Sequence, residues 1–100
     1  MNGGVVWLDE VLSAIEDYWA PRRVGAVNDY DVKVVKVLGE FVPHAHPESD
    51  EFFLVLDGEL LIDLPDGEVR LRPRDIYVVP KGVRHRPRAK IRSGRRWPMS

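Results

Sequence analysis

The sequence predicts an all-β domain, a sandwich or closed barrel of short antiparallel strands preceded by one short helix. Three observations predict it. From Tyr30 onward apolar and polar residues recur with a period of two, the period at which side chains share a face of a strand. Turn residues punctuate these runs at Asp57-Gly58, Pro65-Asp66-Gly67, Pro73-Arg74-Asp75 and Pro80-Lys81-Gly82. No helical stretch falls between the runs, so the crossover helices that parallel strands need are missing.

The helix comes first. Leu8, Val11, Leu12, Ile15 and Trp19 recur at spacings of three and four, with Asp9, Glu10, Glu16 and Asp17 between them, which predicts an amphipathic helix over about 8–18 that Pro21 ends. The barrel is expected over about 30–91. Val32, Val34 and Lys36 then share one strand face and Lys33, Val35 and Val37 the other. Gly39 permits a bend, and residues 41–46 continue extended because the positions before Pro43 and Pro47 disfavour helix. Phe52-Phe53-Leu54-Val55-Leu56 is apolar at every position, the pattern of a strand covered on both faces and the expected centre of the core. Asp57-Gly58 turns the chain into a partner strand over 59–64. Residues 68–72 alternate strictly, residues 76–79 make another short apolar strand, and 83–91 alternate again. About seven strands result. Residues 92–100 have no strand period and read as an irregular basic tail.

One hundred residues make a single domain, residues 1–100. A barrel this short buries a modest share of its surface, so a homodimer is expected. The formal charge is −1 with 31% charged residues, which gives no global electrostatic reason to expect nucleic acid. The longest apolar run, residues 52–56, is far short of the roughly 18 residues that span a bilayer, so no membrane partner is expected. No basic leader precedes a long apolar stretch, so no signal peptide is read. The absence of cysteine fits a reducing cytoplasm. Arg84, Arg86, Arg88, Lys90 and Arg92 alternate opposite His85, Pro87, Ala89 and Ile91. This stripe is either an anion-binding rim or an edge strand guarded by charge, and the edge strand is preferred.

The chemistry lies in the histidines, of which there are three. His44 and His46 are two apart in an extended segment and therefore point the same way. Glu51 opens the next apolar run, and His85 follows the Pro80-Lys81-Gly82 turn. Three imidazoles and a carboxylate suit one divalent transition metal, Fe, Mn, Ni, Cu or Zn. Glu48 and Asp50 lie near enough to compete with Glu51, but Glu51 shares strand parity with Phe53 and Val55 and is favoured.

His44-x-His46, Glu51 and Gly58, followed by Pro80-x-Gly82-x-x-His85, resemble the paired motifs of the cupin superfamily. Trp19-Ala20-Pro21, Gly39-Glu40-Phe41 and Asp50-Glu51-Phe52-Phe53-Leu54-Val55-Leu56-Asp57-Gly58 are similar to segments of its small single-domain bacterial members, some of which have a loose likeness to mannose-6-phosphate isomerase. The resemblance implies an antiparallel jelly-roll (double-stranded β-helix) barrel with one metal held by His44, His46, Glu51 and His85. Relatives usually supply a further apolar strand after the position of Ala89, where this chain turns basic. The superfamily includes dioxygenases, sugar isomerases, decarboxylases and non-enzymatic binding proteins. The expectation is therefore a metal-dependent enzyme of oxygenase or isomerase type acting on a small oxygen-rich molecule, or a metal-bearing binding or sensor module without turnover. Glu51 and Tyr77 are the candidate catalytic residues, Tyr77 through its hydroxyl. Phe41, Phe53, Ile62 and Tyr77 are candidate walls of a small cavity, and Glu40 and Asp63 are further candidate acids or bases.

Overall fold

A computed structural model of the chain describes residues 4–89. One helix, α1 (Leu8–Ala14), precedes eight strands: β1 (Arg22–Val27), β2 (Tyr30–Val34), β3 (Gly39–Glu40), β4 (Glu51–Leu54), β5 (Leu60–Leu64), β6 (Gly67–Leu71), β7 (Ile76–Val79) and β8 (Arg86–Ala89). Every pairing is antiparallel. One sheet has four strands in the order β3-β8-β5-β6, and β1-β2 and β4-β7 form two-stranded sheets. Val37, Val55, Leu60, Ile62, Leu71, Val79 and Ala89 form the core, between the four-stranded sheet and the β4-β7 pair. The predicted all-β antiparallel class with a short helix is the observed one. Among the described residues no helix is long and apolar enough to cross a membrane.

Four expectations are corrected. The helix stops at Ala14, not at residue 18. Ile15 turns extended and is buried, and its carbonyl accepts from Lys36 Nζ at 3.0 Å. Trp19 N donates to the Lys36 carbonyl at 2.8 Å, and Trp19 Nε1 to the Leu38 carbonyl at 2.8 Å. These long-range bonds draw residues 15–19 onto the segment after β2, and a seven-residue helix with no basic residue in its last turn offers little resistance.

The first strand is also earlier than expected. β1 pairs with β2 across the Asn28-Asp29 turn, with Val27 opposite Tyr30. Asn28 has φ 54°, a conformation asparagine tolerates and tight hairpin turns demand. A register irregularity between Arg23 and Gly25 breaks the period in β1, which is why the alternation does not show in the sequence.

The strand covered on both faces is β5, not β4. Leu60, Leu61 and Ile62 alternate between its two faces and are all buried, and β5 is an interior strand hydrogen-bonded to β6 and β8. In β4 only one face is covered, and Phe52 and Leu54 face solvent.

The basic stripe is neither an edge nor a free rim. β8 lies inside its sheet, between β3 and β5. Arg86 donates from Nε and Nη2 to Asp63 Oδ2 at 3.0 and 2.8 Å and reaches Glu40 Oε1 at 3.3 Å. Arg88 donates from Nε to Asp63 Oδ2 at 2.9 Å and from Nη2 to Asp63 Oδ1 at 3.0 Å, and it also pairs with Glu68. The expected positions of Lys90 and Arg92, the end of the last strand and the basic tail lie outside the described residues.

Candidate metal centre

His44 and His85 meet across an isolated antiparallel bridge. His44 N donates to the His85 carbonyl at 2.9 Å and His85 N to the His44 carbonyl at 2.8 Å. A second clamp lies beside it. Gly82 N donates to the His46 carbonyl at 2.7 Å, and Lys81 N donates to Asp50 Oδ1 at 2.8 Å. Gly82 has φ +81°, a conformation that costs glycine little and other residues more. The turn therefore fastens the loop carrying His44 and His46 to the segment carrying His85.

The ring orientations are fixed by the same device used twice. His44 Nδ1 lies 3.1 Å from the Val42 carbonyl oxygen, and His85 Nδ1 lies 3.0 Å from the Val83 carbonyl oxygen. A carbonyl only accepts, so each Nδ1 carries a proton and each Nε2 is turned inward. Phe41 meets His44 edge-on with ring centroids 5.5 Å apart, and Trp19 stacks on Phe41 at 4.8 Å. Phe53 stands edge-on to His85 at 6.1 Å.

The three Nε2 atoms converge on one oxygen. Glu51 Oε1 is 2.7 Å from His85 Nε2, 3.1 Å from His46 Nε2 and 3.5 Å from His44 Nε2. One ligand atom from each of the four residues lies within 4.8 Å of the others. His85 is almost wholly buried (side chain 1% exposed), whereas His46 is half exposed at 46%, so the group opens to solvent on the His46 side. With Nδ1 protonated, a neutral imidazole presents a lone pair at Nε2. Lone pairs aimed at a carboxylate oxygen repel, and a cation held among the four groups would relieve that repulsion. The donor set, its spacing and the fixed second nitrogens fit a transition metal.

A cupin-domain family profile matches residues 31–91. The chain belongs to the cupins. Among solved structures it is similar to a cupin-2 domain protein of Shewanella frigidimarina, at 40% identity and TM-score 0.85 over 95% of this chain and 90% of that one. It is similar also to protein NMB1881 of Neisseria meningitidis, at 30% identity and TM-score 0.81 over 96% and 93% of the two chains. The uncharacterised protein YdbB of Bacillus subtilis is 39% identical over 84 residues, 83% of this chain and 74% of that protein.

In this cupin the four residues singled out as ligands come together, and the competitors do not. Glu48 is exposed in the loop, and Asp50 is committed to the Lys81 amide. Glu40 and Asp63, considered as acids or bases, stand elsewhere: both are engaged by Arg86. The guanidinium of Arg88, and then that of Arg86, hold the Asp63 carboxyl below its ordinary range. Ile62 is buried core, and Phe41 buttresses His44 and is otherwise exposed, so neither is the cavity wall expected of it. Tyr77 lines an open cavity of about 410 Å³, with Leu64, Val69, Pro80 and Val83 among its walls, but none of His44, His46, Glu51 and His85 lines it. It sits opposite Phe53 in the β4-β7 pair. Sequence reasoning missed the Val42 and Val83 carbonyls and the stacking role of Trp19. The carbonyls leave no signal, because any residue offers one. Trp19 did leave one, in the Trp-x-Pro segment of the resemblance, but the helical spacing assigned it to α1.

Proposed function

We propose that this chain is a mononuclear metal-dependent cupin that acts on a small oxygen-rich molecule by chemistry of the oxygenase or isomerase type. The observation that carries the reading is the convergence of three Nε2 atoms on Glu51 Oε1 at 2.7, 3.1 and 3.5 Å. His44, His46, His85 and Glu51 would hold one divalent ion, Fe, Mn, Ni, Cu or Zn. When bound, such an ion supplies Lewis acidity or, if iron, a site for dioxygen.

The remaining roles fall to side chains of the chain itself. Phe41 and Phe53 keep the imidazole planes of His44 and His85 in place. The half-exposed His46 side admits the substrate. Glu51 would serve as a ligand to the ion, and its carboxylate is the group of the cluster able to take a proton from a bound substrate. Tyr77, on the same inward face of β7 as buried Val79, is the candidate hydroxyl donor to a bound oxygen, although none of the four grouped residues lines the cavity it walls.

One observation favours a second reading, a metal-bearing binding or sensor module without turnover. Among the described residues no carboxylate besides Glu51 belongs to the group, and the two other candidates are tied to arginines, so proton-moving groups are few. Metal analysis of protein purified without added metal, repeated for His44→Ala, tests the metal. Near one equivalent in the wild type and little in the variant is expected, whereas equal content in both contradicts either reading. Oxygen uptake by the iron-loaded protein with catechol-like or diketone compounds then tests turnover, and no uptake across the series counts against the oxygenase chemistry.

A further inference from the structure

Trp19 has φ +61°, the left-handed backbone region that glycine and asparagine visit and a bulky aromatic rarely does. Hydrogen bonds to a distant segment hold it there. Its amide N donates to the Lys36 carbonyl and its indole Nε1 to the Leu38 carbonyl, both at 2.8 Å. Lys36 Nζ reaches back to the Ile15 carbonyl at 3.0 Å. Both N–H groups of one residue are thus tied to carbonyls on either side of buried Val37, which fixes the plane of the indole. That plane lies 19° from the ring plane of Phe41, with centroids 4.8 Å apart. Phe41 in turn meets His44 at 83° and 5.5 Å. Phe41 is 36% exposed, so core packing alone does not set where its ring lies.

We infer that Trp19 is a positioning residue for His44, acting through Phe41, and that the strained turn at Trp19 serves to set the indole plane against that ring. The inference rests on the reading of His44, His46, Glu51 and His85 as metal ligands. Backbone and side chains of the His44 segment are held by different parts of the chain. The backbone is held from the β8 side, where Phe41 N donates to the Pro87 carbonyl at 3.0 Å and His44 N to the His85 carbonyl at 2.9 Å. The Val42 carbonyl, 3.1 Å from His44 Nδ1, decides which nitrogen faces the group. The edge contact with Phe41 limits how far the ring tilts, and Trp19 keeps Phe41 from giving way. His44 is the ligand that needs such support. Its Nε2 stands farthest of the three from Glu51 Oε1, at 3.5 Å, and its side chain is 24% exposed. His85, at 1%, is held by its own burial.

Trp19→Leu keeps an apolar side chain against the core but offers Phe41 no plane, whereas Trp19→Phe keeps the plane. Proton NMR of the metal-free protein reads the effect directly, because three histidines give few imidazole signals and His44→Ala assigns those of His44. They are expected to shift and broaden in Trp19→Leu and to stay near their wild-type positions in Trp19→Phe. Co(II) affinity, measured against a chelating dye, is expected to fall about 10-fold in Trp19→Leu and to recover to within about threefold in Trp19→Phe. Acting through one ring, the two changes should not add: Trp19→Leu/Phe41→Ala is expected to bind no more weakly than Phe41→Ala alone. Val37→Ala, which destabilises the same region from the core side, is expected to leave the affinity unchanged. Unmoved His44 signals in folded Trp19→Leu overturn the proposal, as do additive losses in the double variant or an equal loss in Val37→Ala. Unfolding of both Trp19 variants overturns it too, since Trp19 would then serve the fold. A wild type that takes up no Co(II) while the His44 signals still move in Trp19→Leu supports the positioning of His44 and contradicts the metal reading.

Discussion

Two carboxylates in this cupin are surrounded by nitrogen-bearing side chains at similar distances and end up with opposite chemistry. Asp63 is held by Arg86 and Arg88 at 2.8 to 3.0 Å. Glu51 is faced by three imidazoles at 2.7 to 3.5 Å. The two clusters are fed by one stretch of chain: His85, Pro87 and Ala89 are buried, while Arg86 and Arg88 point the other way. Guanidinium is always protonated, so every contact to Asp63 is an N–H donated to an oxygen and the cluster is satisfied as it stands. The His44 and His85 imidazoles, with Nδ1–H donated to the Val42 and Val83 carbonyls, have only a lone pair left at Nε2, so the Glu51 cluster can take up a cation. The nature of the nitrogen, more than the number or length of the contacts, separates a structural ion cluster from a group that could hold a metal.

The comparison can be broken most sharply at His85. His85→Ala removes the shortest contact to Glu51 and is expected to lower metal affinity by more than about 100-fold, above the range typical of outer partners. Competition with a chelating dye measures it, and an unchanged affinity would dissolve the distinction between the clusters. Phe41→Ala takes away the ring against His44 while leaving all four ligands. It should cost about 10-fold, the lower end of that range, and an effect as large as that of His85→Ala would mean Phe41 holds up the fold and not one ring.

The smallest effect on metal is expected for Asp63→Asn, with affinity unchanged within about twofold but the unfolding midpoint lowered by several degrees, the shift that about 1 kcal/mol gives in a domain of this size. Asp63 has a folded-state pKa below its ordinary 3.8. Its contribution is therefore full above that ordinary value and is lost as pH falls through the lowered one. The difference in midpoint between wild type and variant should accordingly persist at neutral pH and shrink in strong acid. A difference that grows on acidification would mean that Asp63 is not the stabilised anion described.

How much of this was legible in the sequence depended on whether local pattern or distant packing decides the feature. The β5-β6 hairpin was legible because Leu60-Leu61-Ile62 and the Pro65-Asp66-Gly67 turn are local signals. The four-residue group was legible because the His44-x-His46 spacing in an extended segment, Glu51 at the start of an apolar run and the spaced second motif with His85 single these residues out, although a loop and not a continuous strand joins His46 to Glu51. β1 was not legible, since its irregular register hides the alternation. The early end of α1 depends on hydrogen bonds from Trp19 and Lys36 that join residues far apart in the chain. The two-sided apolar pattern of residues 52–56 predicted a strand covered on both faces, whereas β4 buries one face and leaves Phe52 and Leu54 exposed, because composition alone does not say which faces the fold covers.

Titration of Co(II) into metal-stripped protein, followed by its visible absorption, tests the central claim most directly. The geometry predicts a d–d spectrum that grows to one equivalent per chain and then stops, and that fails to develop in His44→Ala and His85→Ala while Asp63→Asn retains it. A flat titration of the folded wild type, or an equal response from the histidine variants, would contradict it.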